Sequence, residues 1–230
     1  MTQASVFQVI RGALPKKLIE DAASAAHSFF AYSDTFRWPG QMGDIARLQN
    51  GVALTKANAD VSWEVEELRQ LIDEAVFLLG IAYEPEPRAG LRAIYDCTSV
   101  RRQHAVGGTP LPWHQDACPM GTENPGDGLV FWIPLTEIDD TTPSLEFMPQ
   151  RGVLPHGSRK SFSALLSEPV GEIIRCPDMK IGDVLMFGLD IIHRTHIPAA
   201  ATRVRYSCDL RVGSPEYLGR HPECEVMSCG

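Results

Sequence analysis

The tetrapeptide Trp113-His114-Gln115-Asp116 places an imidazole and a carboxylate two residues apart. On an extended strand, side chains two apart point to the same face, so His114 and Asp116 can aim at one point. An imidazole nitrogen and a carboxylate oxygen together suit a divalent first-row metal. His-x-Asp pairs arise by chance in many chains, so the pair carries little alone. A second feature lies far downstream. Gly182-Asp183 reads as a turn into a strand over 184–187, and the next strand carries His193. Two histidines and one carboxylate can fill one face of an octahedral ion and leave its other positions open to small molecules.

Residues 203–212 alternate in polarity. Val204, Tyr206, Cys208 and Leu210 share one face, and Arg203, Arg205, Ser207, Asp209 and Arg211 share the other. Such a polar face looks either at solvent or into a polar cavity, and alternation alone does not decide between them. In a cavity, a guanidinium is a strong partner for a carboxylate, because its planar fork binds two oxygens at once.

The combination is more informative than its parts. His114-x-Asp116, then His193, then Arg205-x-Ser207 resembles the iron(II)/2-oxoglutarate oxygenases, and within them the phytanoyl-CoA dioxygenase-like family. The supporting stretches are WHQD, VFWIPLTEIDDTTPSLEFMPQ, GDVLMF followed by IIHRTH, and RVRYS. The resemblance covers roughly residues 90–212, with a weaker match in the first helix. It implies a double-stranded β-helix, a single Fe(II), 2-oxoglutarate as cosubstrate and molecular oxygen. Residue by residue, it makes His114, Asp116 and His193 the metal ligands. It gives Arg205 the far carboxylate of 2-oxoglutarate, with Ser207 beside it and the Thr195 hydroxyl helping to hold the same group. Trp132 becomes an aromatic wall of the cosubstrate pocket. Arg203 and Arg211, on the same face as Arg205, are expected to matter less to that carboxylate. The family's proline-glycine-serine-histidine turn reads Pro149-Gln150-Arg151-Gly152 here, a departure on the substrate side. The implied activity is oxidation, most simply hydroxylation, of a small organic molecule, with succinate and carbon dioxide as coproducts. Desaturation, cyclisation and epimerisation use the same ligands. Asp116 counts against a halogenase, which usually needs a small residue there.

Other polar residues have plainer readings. His196 is three past His193 and points away from it on a strand. His27 on a helix, His156 in a Pro-Gly loop and His221 near the end read as structural or solvated. His104 reads as a packed or exposed strand residue. Arg102 or Gln103 faces the pocket, depending on strand register. Trp113 reads as pocket wall or core.

Two helices and about eight strands must position these groups. Residues 5–10 read as a short strand. Pro15 opens a helix with Leu18, Ile19, Ala22, Ala25, Ala26 and Phe29 at helical spacing. Residues 31–61 read as irregular, either a lid or a packed surface loop. A second helix follows Ser62, with Leu68, Leu71, Ile72, Ala75 and Leu79 on one face and Gly80 at its end. Strands are expected over 91–104, 111–116, 128–135, 144–149, 170–175, 183–187, 190–196 and 203–212. The fold class is therefore mainly β with flanking α-helices, a cupin-like jelly roll. The 230 residues read as one domain: N-terminal helices to about 85, a β-helix core over about 90–212, and a tail over 213–230.

Twenty-one basic against twenty-nine acidic residues give a net charge of −8, which argues against a nucleic-acid partner. No window has the length and apolarity of a membrane span, and the N-terminus lacks signal-peptide character. The six cysteines show no CxxC spacing, so a cytoplasmic protein with reduced thiols is expected, although Cys224 and Cys229 are spaced to allow a bridge. Arg47, Lys56, Arg92, Arg101 and Arg102 lie in segments expected to wall the pocket, and they favour an anionic small-molecule substrate. Two rivals use the same residues: a zinc hydrolase, which would leave Arg205-x-Ser207 without a purpose, and a non-catalytic barrel that binds a small acid.

Overall fold

The computed structural model describes residues 6–35, 44–49, 53–56, 62–82, 92–93, 98–107, 110–116, 128–149 and 172–213. Its core is two antiparallel sheets facing one another, with two helices on the outer face of the larger sheet. Strands are β1 (Gln8–Ile10), β2 (Asp44–Gln49), β3 (Ala53–Lys56), β4 (Ser62–Glu64), β5 (Arg92–Ala93), β6 (Ser99–Gln103), β7 (Gly128–Pro134), β8 (Ser144–Met148), β9 (Ile174–Arg175), β10 (Val184–Gly188), β11 (Ile192–His196) and β12 (Arg205–Gly213). The large sheet runs β1-β10-β7-β12-β6-β2-β3-β4, with β5 also on β12, and the small sheet runs β11-β8-β9. This is the jelly-roll, double-stranded β-helix architecture.

Helix α1 (Lys16–Asp34) starts directly after Pro15, whose φ of −58° suits a helix entry. Its buried face is Ile19, Ala22, Ala26, Phe29, Phe30 and Ser33. Helix α2 (Glu66–Ala82) buries Leu68, Leu71, Ile72 and Ala75. It begins four residues after Ser62, which is itself in β4, and runs two residues past Gly80.

The alternation of the central strands sorts side chains between two cores. Phe131 and Ile133 of β7, and Cys208, Leu210 and Val212 of β12, face the helices. Val130 and Trp132 face the other way and join Leu145, Phe147, Leu185 and Phe187 between the sheets. The polar face of β12 is thus turned inward. Arg205, Ser207, Asp209 and Arg211 are all buried, which settles the choice between solvent and cavity.

Three expectations need correction. Residues 31–61 are not irregular throughout: α1 extends to Asp34, and β2 and β3 form an antiparallel pair that continues the large sheet. Residues 111–116 do not form a strand; they make one isolated bridge, His114 to His193. The predicted strand 91–104 is two pieces, β5 and β6. His156, His221, Cys224 and Cys229 lie outside the described residues. Among the described residues Cys176 and Cys208 are free thiols, and no helix is long and apolar enough to cross a membrane.

Candidate metal centre

The chain brings the three predicted ligands together by zipping the His114 segment onto the free edge of β11. His114 N donates to His193 O and His193 N donates to His114 O, each at 2.9 Å. Thr195 N donates to Leu111 O at 3.2 Å. Gln115, fully buried, adds a bond from Nε2 to Asp190 O at 2.6 Å, tying the segment to the turn that precedes His193. A bridge with one turn, rather than a strand, is thus enough to converge His114 and Asp116.

The ligand atoms of His114, Asp116 and His193 all lie within 4.8 Å of one another, and all three residues are buried. Each histidine is oriented through its other ring nitrogen. His114 Nδ1 sits 2.8 Å from Pro112 O and His193 Nδ1 sits 3.0 Å from Ile191 O. A ring N–H donated to each carbonyl fixes the tautomer that leaves Nε2 as a lone-pair donor. Burial, and then repulsion by the neighbouring His193, push the His114 pKa down to about 3. Burial also lowers the pKa of His193, against the pull of Asp116. Both rings are therefore neutral at pH 7, the state a metal needs. Burial alone would raise the pKa of Asp116, but Arg211, His193 and His114 outweigh it and hold the carboxyl well below the usual range. Two neutral imidazoles and an ionised carboxylate, with Asp116 Oδ2 buried and unpartnered, fit a divalent first-row metal.

The triad opens into a cavity between the sheets, with about 310 Å³ of empty space counting the part open to solvent. Its apolar walls are Leu111, Val130, Leu145, Phe187 and Trp132. Its polar groups besides the triad are Arg101, Thr195, Arg205 and Asp209. Arg205 is 1% exposed. Its Nη1 donates to Ser144 O at 3.0 Å, its Nε has no partner, and its guanidinium carbon lies 5.5 Å from the Trp132 ring centroid. Burial pulls its pKa down to about 10. Among the described residues no carboxylate is paired with it. Trp132 Nε1 and Ser207 Oγ are likewise buried without partners. Ser207 shares the strand face but is not part of the cavity wall.

Strand register places the other candidates. Arg101 faces the cavity, paired with Asp209 by a short ion pair that Ser99 supports. Arg102 faces outward, donating to both carboxylate oxygens of Asp34 and stacking over Phe30. Gln103 is buried off the cavity wall and His104 lies beyond the strand end. Trp113 belongs to a small separate cluster with Met148 and Ile192, beneath the Arg194 guanidinium at 4.5 Å. His196 points away, 3.3 Å from Glu146. Arg203 precedes β12 and pairs with Asp139 near the surface.

One functional contact escapes sequence reasoning. Arg211 Nη2 donates to Asp116 Oδ1 at 2.8 Å, inside the protein. At about 3.3 Å per residue, Arg205 and Arg211 are about 20 Å apart along β12: Arg205 lines the cavity, whereas Arg211, off its wall, reaches Asp116. The face periodicity was the available signal, but it does not show which end of the strand meets the His114 segment.

No protein-family model matches the chain, and no curated protein matches it. Solved structures share its fold. The non-heme alpha-ketoglutarate-dependent epimerase SnoN from nogalamycin biosynthesis aligns at 15% identity over 91% of this chain and 78% of its own, with a TM-score of 0.58. SnoN has also been solved with Fe3+, alpha ketoglutarate and nogalamycin RO. AviO1 from Streptomyces viridochromogenes Tue57 aligns at 15% identity over 92% of this chain and 90% of its own, with a TM-score of 0.62. The non-heme monooxygenase ThoJ aligns at 15% identity over 93% and 75%, also at 0.62. The chain therefore has a fold that non-heme oxygenases and an epimerase of this kind also have.

Proposed function

We propose that this chain is a non-haem iron(II)- and 2-oxoglutarate-dependent dioxygenase of the phytanoyl-CoA dioxygenase-like type, oxidising a small organic molecule. The observation that carries the reading is Arg205: a buried cation with no paired carboxylate among the described residues, in the same cavity as a buried His-Asp-His cluster. A zinc hydrolase has no use for it. A non-catalytic acid-binding barrel has no use for the cluster.

His114, Asp116 and His193 would hold the iron, which when bound couples decarboxylation of 2-oxoglutarate by oxygen to oxidation of the substrate. The residues' own tasks follow from their surroundings. The backbone carbonyls of Pro112 and Ile191 keep both imidazoles in the ligating tautomer. Arg205 receives the far carboxylate of the cosubstrate, with Thr195 on the cavity wall and Ser207 as the further hydroxyl on its strand. Trp132 lies against the same guanidinium and shields it from water, so the pairing is made in a medium of low dielectric constant. Leu111, Val130, Leu145 and Phe187 exclude water from the rest of the cavity, which protects a reactive centre from side reactions.

SnoN, an epimerase with this fold, holds Fe3+ and alpha ketoglutarate, which supports the cofactor assignment. Hydroxylation is the simplest outcome, and the pose of the substrate decides between it and desaturation, cyclisation or epimerisation. An anionic substrate remains our reading from the basic residues of the segments expected to wall the pocket, although Arg101 and Arg102 have internal carboxylate partners. A reduced metal and free Cys176 and Cys208 thiols suit the cytoplasm. The test is succinate formation from 2-oxoglutarate by the iron(II)-loaded protein in air. Succinate absent at every metal loading, with or without candidate substrates, would remove the assignment.

A further inference from the structure

Asp116 has two oxygens in different situations. Oδ1 accepts a 2.8 Å bond from the Arg211 guanidinium and lies 3.7 Å from His114 Nε2, and Oδ2 has no hydrogen-bond partner. Both side chains are buried, with 2% of Asp116 and 8% of Arg211 exposed, so the pair is not loosened by solvent. Arg211 is held on its own side as well. It stands opposite Val130 in the β12–β7 register, and its backbone N lies 3.5 Å from Thr98 Oγ1.

We propose that Arg211 is a positioning residue that restricts Asp116 to one-oxygen coordination of the metal; this rests on the iron and 2-oxoglutarate reading above. A carboxylate can bind a divalent ion through one oxygen or through both. A charge-assisted bond on Oδ1 fixes the rotation of the carboxylate, and the guanidinium is a cation that repels the metal from its own side. The carboxylate therefore presents one oxygen to the metal rather than both. The count of open positions then follows. Two imidazoles and one oxygen fill three of the six octahedral positions, leaving three. A two-oxygen Asp116 would leave two, enough for the keto-acid oxygens of 2-oxoglutarate and none for oxygen. Hydrogen bonds to ligating carboxylates commonly set ligand orientation. Here the fixed geometry of a guanidinium does so from a single direction.

The experiment counts exchangeable waters on the metal directly. The protein is loaded with manganese(II), and its electron paramagnetic resonance lines are recorded in ¹⁷O-enriched water without cosubstrate. Wild type should carry three waters, and Arg211→Met, which frees both oxygens of Asp116, should carry two. Arg211→Lys, which keeps a cationic donor, should restore three. A wild-type count of two overturns the proposal, and so does a count of three in Arg211→Met. Should circular dichroism show Arg211→Met unfolded, Arg211→Gln replaces it: its shorter, neutral amide does not reach Oδ1, the same count of two is expected, and three overturns the proposal. Adding 2-oxoglutarate to wild type should then remove two waters. Failure of that last step would sink the cosubstrate reading, whereas the role of Arg211 stands or falls on the water count of its variants alone.

Discussion

Replacing Arg205 by methionine should move two measurements in opposite directions. The guanidinium is 1% exposed, with one N–H on Ser144 O and its Nε unpartnered. A charge-assisted hydrogen bond contributes about 1.5–3 kcal/mol net, and breaking one side of a desolvated pair costs about 3–5 kcal/mol. At this depth screening by water and salt is small, so the loss should fall near the overlap of the two ranges, about 3 kcal/mol. That is roughly a hundredfold weaker binding of 2-oxoglutarate. Metal affinity without cosubstrate should not change, because Arg211 and not Arg205 reaches the triad. The cosubstrate-free protein should behave in the opposite sense. Burial lowers the folded pKa of Arg205 from 12.5 to about 10, a cost of roughly 3 kcal/mol. Because the folded pKa is the lower one, the unfolded chain holds the proton more tightly. The cost is complete below about pH 10 and is relieved only as pH rises toward 12.5. Arg205→Met removes that cost at neutral pH, so the variant should melt no lower than wild type and several degrees higher, at roughly 2–4 °C per kcal/mol for a chain of this size. The assays are titration of the anaerobic iron(II) protein with 2-oxoglutarate, followed by charge-transfer absorption, and thermal melting of the same preparations without cosubstrate. Wild-type affinity in Arg205→Met would refute the anchor. A large drop in melting temperature would show that Arg205 serves the fold instead.

Alanine at His114, Asp116 or His193 should abolish tight binding of iron(II) or cobalt(II) in calorimetry, whereas His27→Ala and His196→Ala should bind normally. Because burial lowers the pKa of both His114 and His193, metal affinity should fall off at a lower pH than it would for exposed histidines, which take up protons at about pH 6.5. The same depressed values make the metal-free protein less stable as pH falls below about 6.5: the unfolded chain takes up protons that the folded chain does not, at up to about 1.4 kcal/mol per pH unit for each histidine. Denaturant titrations between about pH 7.5 and 4.5 check this, and stabilisation on acidification would contradict it. Gly182 has φ +96°, and an added Cβ would lie 2.6 Å from Leu14 O; Gly182→Ala should lower stability by at least about 1–3 kcal/mol, seen in melting, without altering metal affinity.

The sequence made the chemistry more legible than the geometry that delivers it. The clustering of His114, Asp116 and His193 was readable because a metal site restricts residue type, whereas the element carrying the first two was not. Alternation predicts a strand over 111–116, but Pro110 and Pro112 lack the N–H groups that a continuous ladder needs. A single bridge, with Gln115 holding the turn, is what remains. The sheet extension β2–β3–β4 was hidden for a different reason. Its strands are short, and they sit among glycine, proline and asparagine residues that normally mark loops. The Asn50-Gly51 dipeptide between β2 and β3 is the signal that could have revealed the hairpin. Helix α1 was readable nearly throughout, because its apolar residues repeat with one helical period from Ile19 to Phe30.

Strand β12 shows why alternation could not reveal its own meaning. A row of arginine, serine, aspartate and arginine is the pattern of a solvated strand, and burial of such a row is normally destabilising. The residues on the opposite face decide the matter. Cys208, Leu210 and Val212 pack under the helices, so β12 is central, and its polar side can only look between the two sheets. Each charge there must then be matched. Asp209 is matched by Arg101 and Arg211 by Asp116, which leaves Arg205 as the cation on this strand face with no carboxylate partner among the described residues. A structural role gives no reason to retain an uncompensated arginine at that depth, since methionine would fill the space without the cost of burying a charge. A dianionic cosubstrate gives one: a carboxylate entering the cavity would turn the penalty at Arg205 into binding energy.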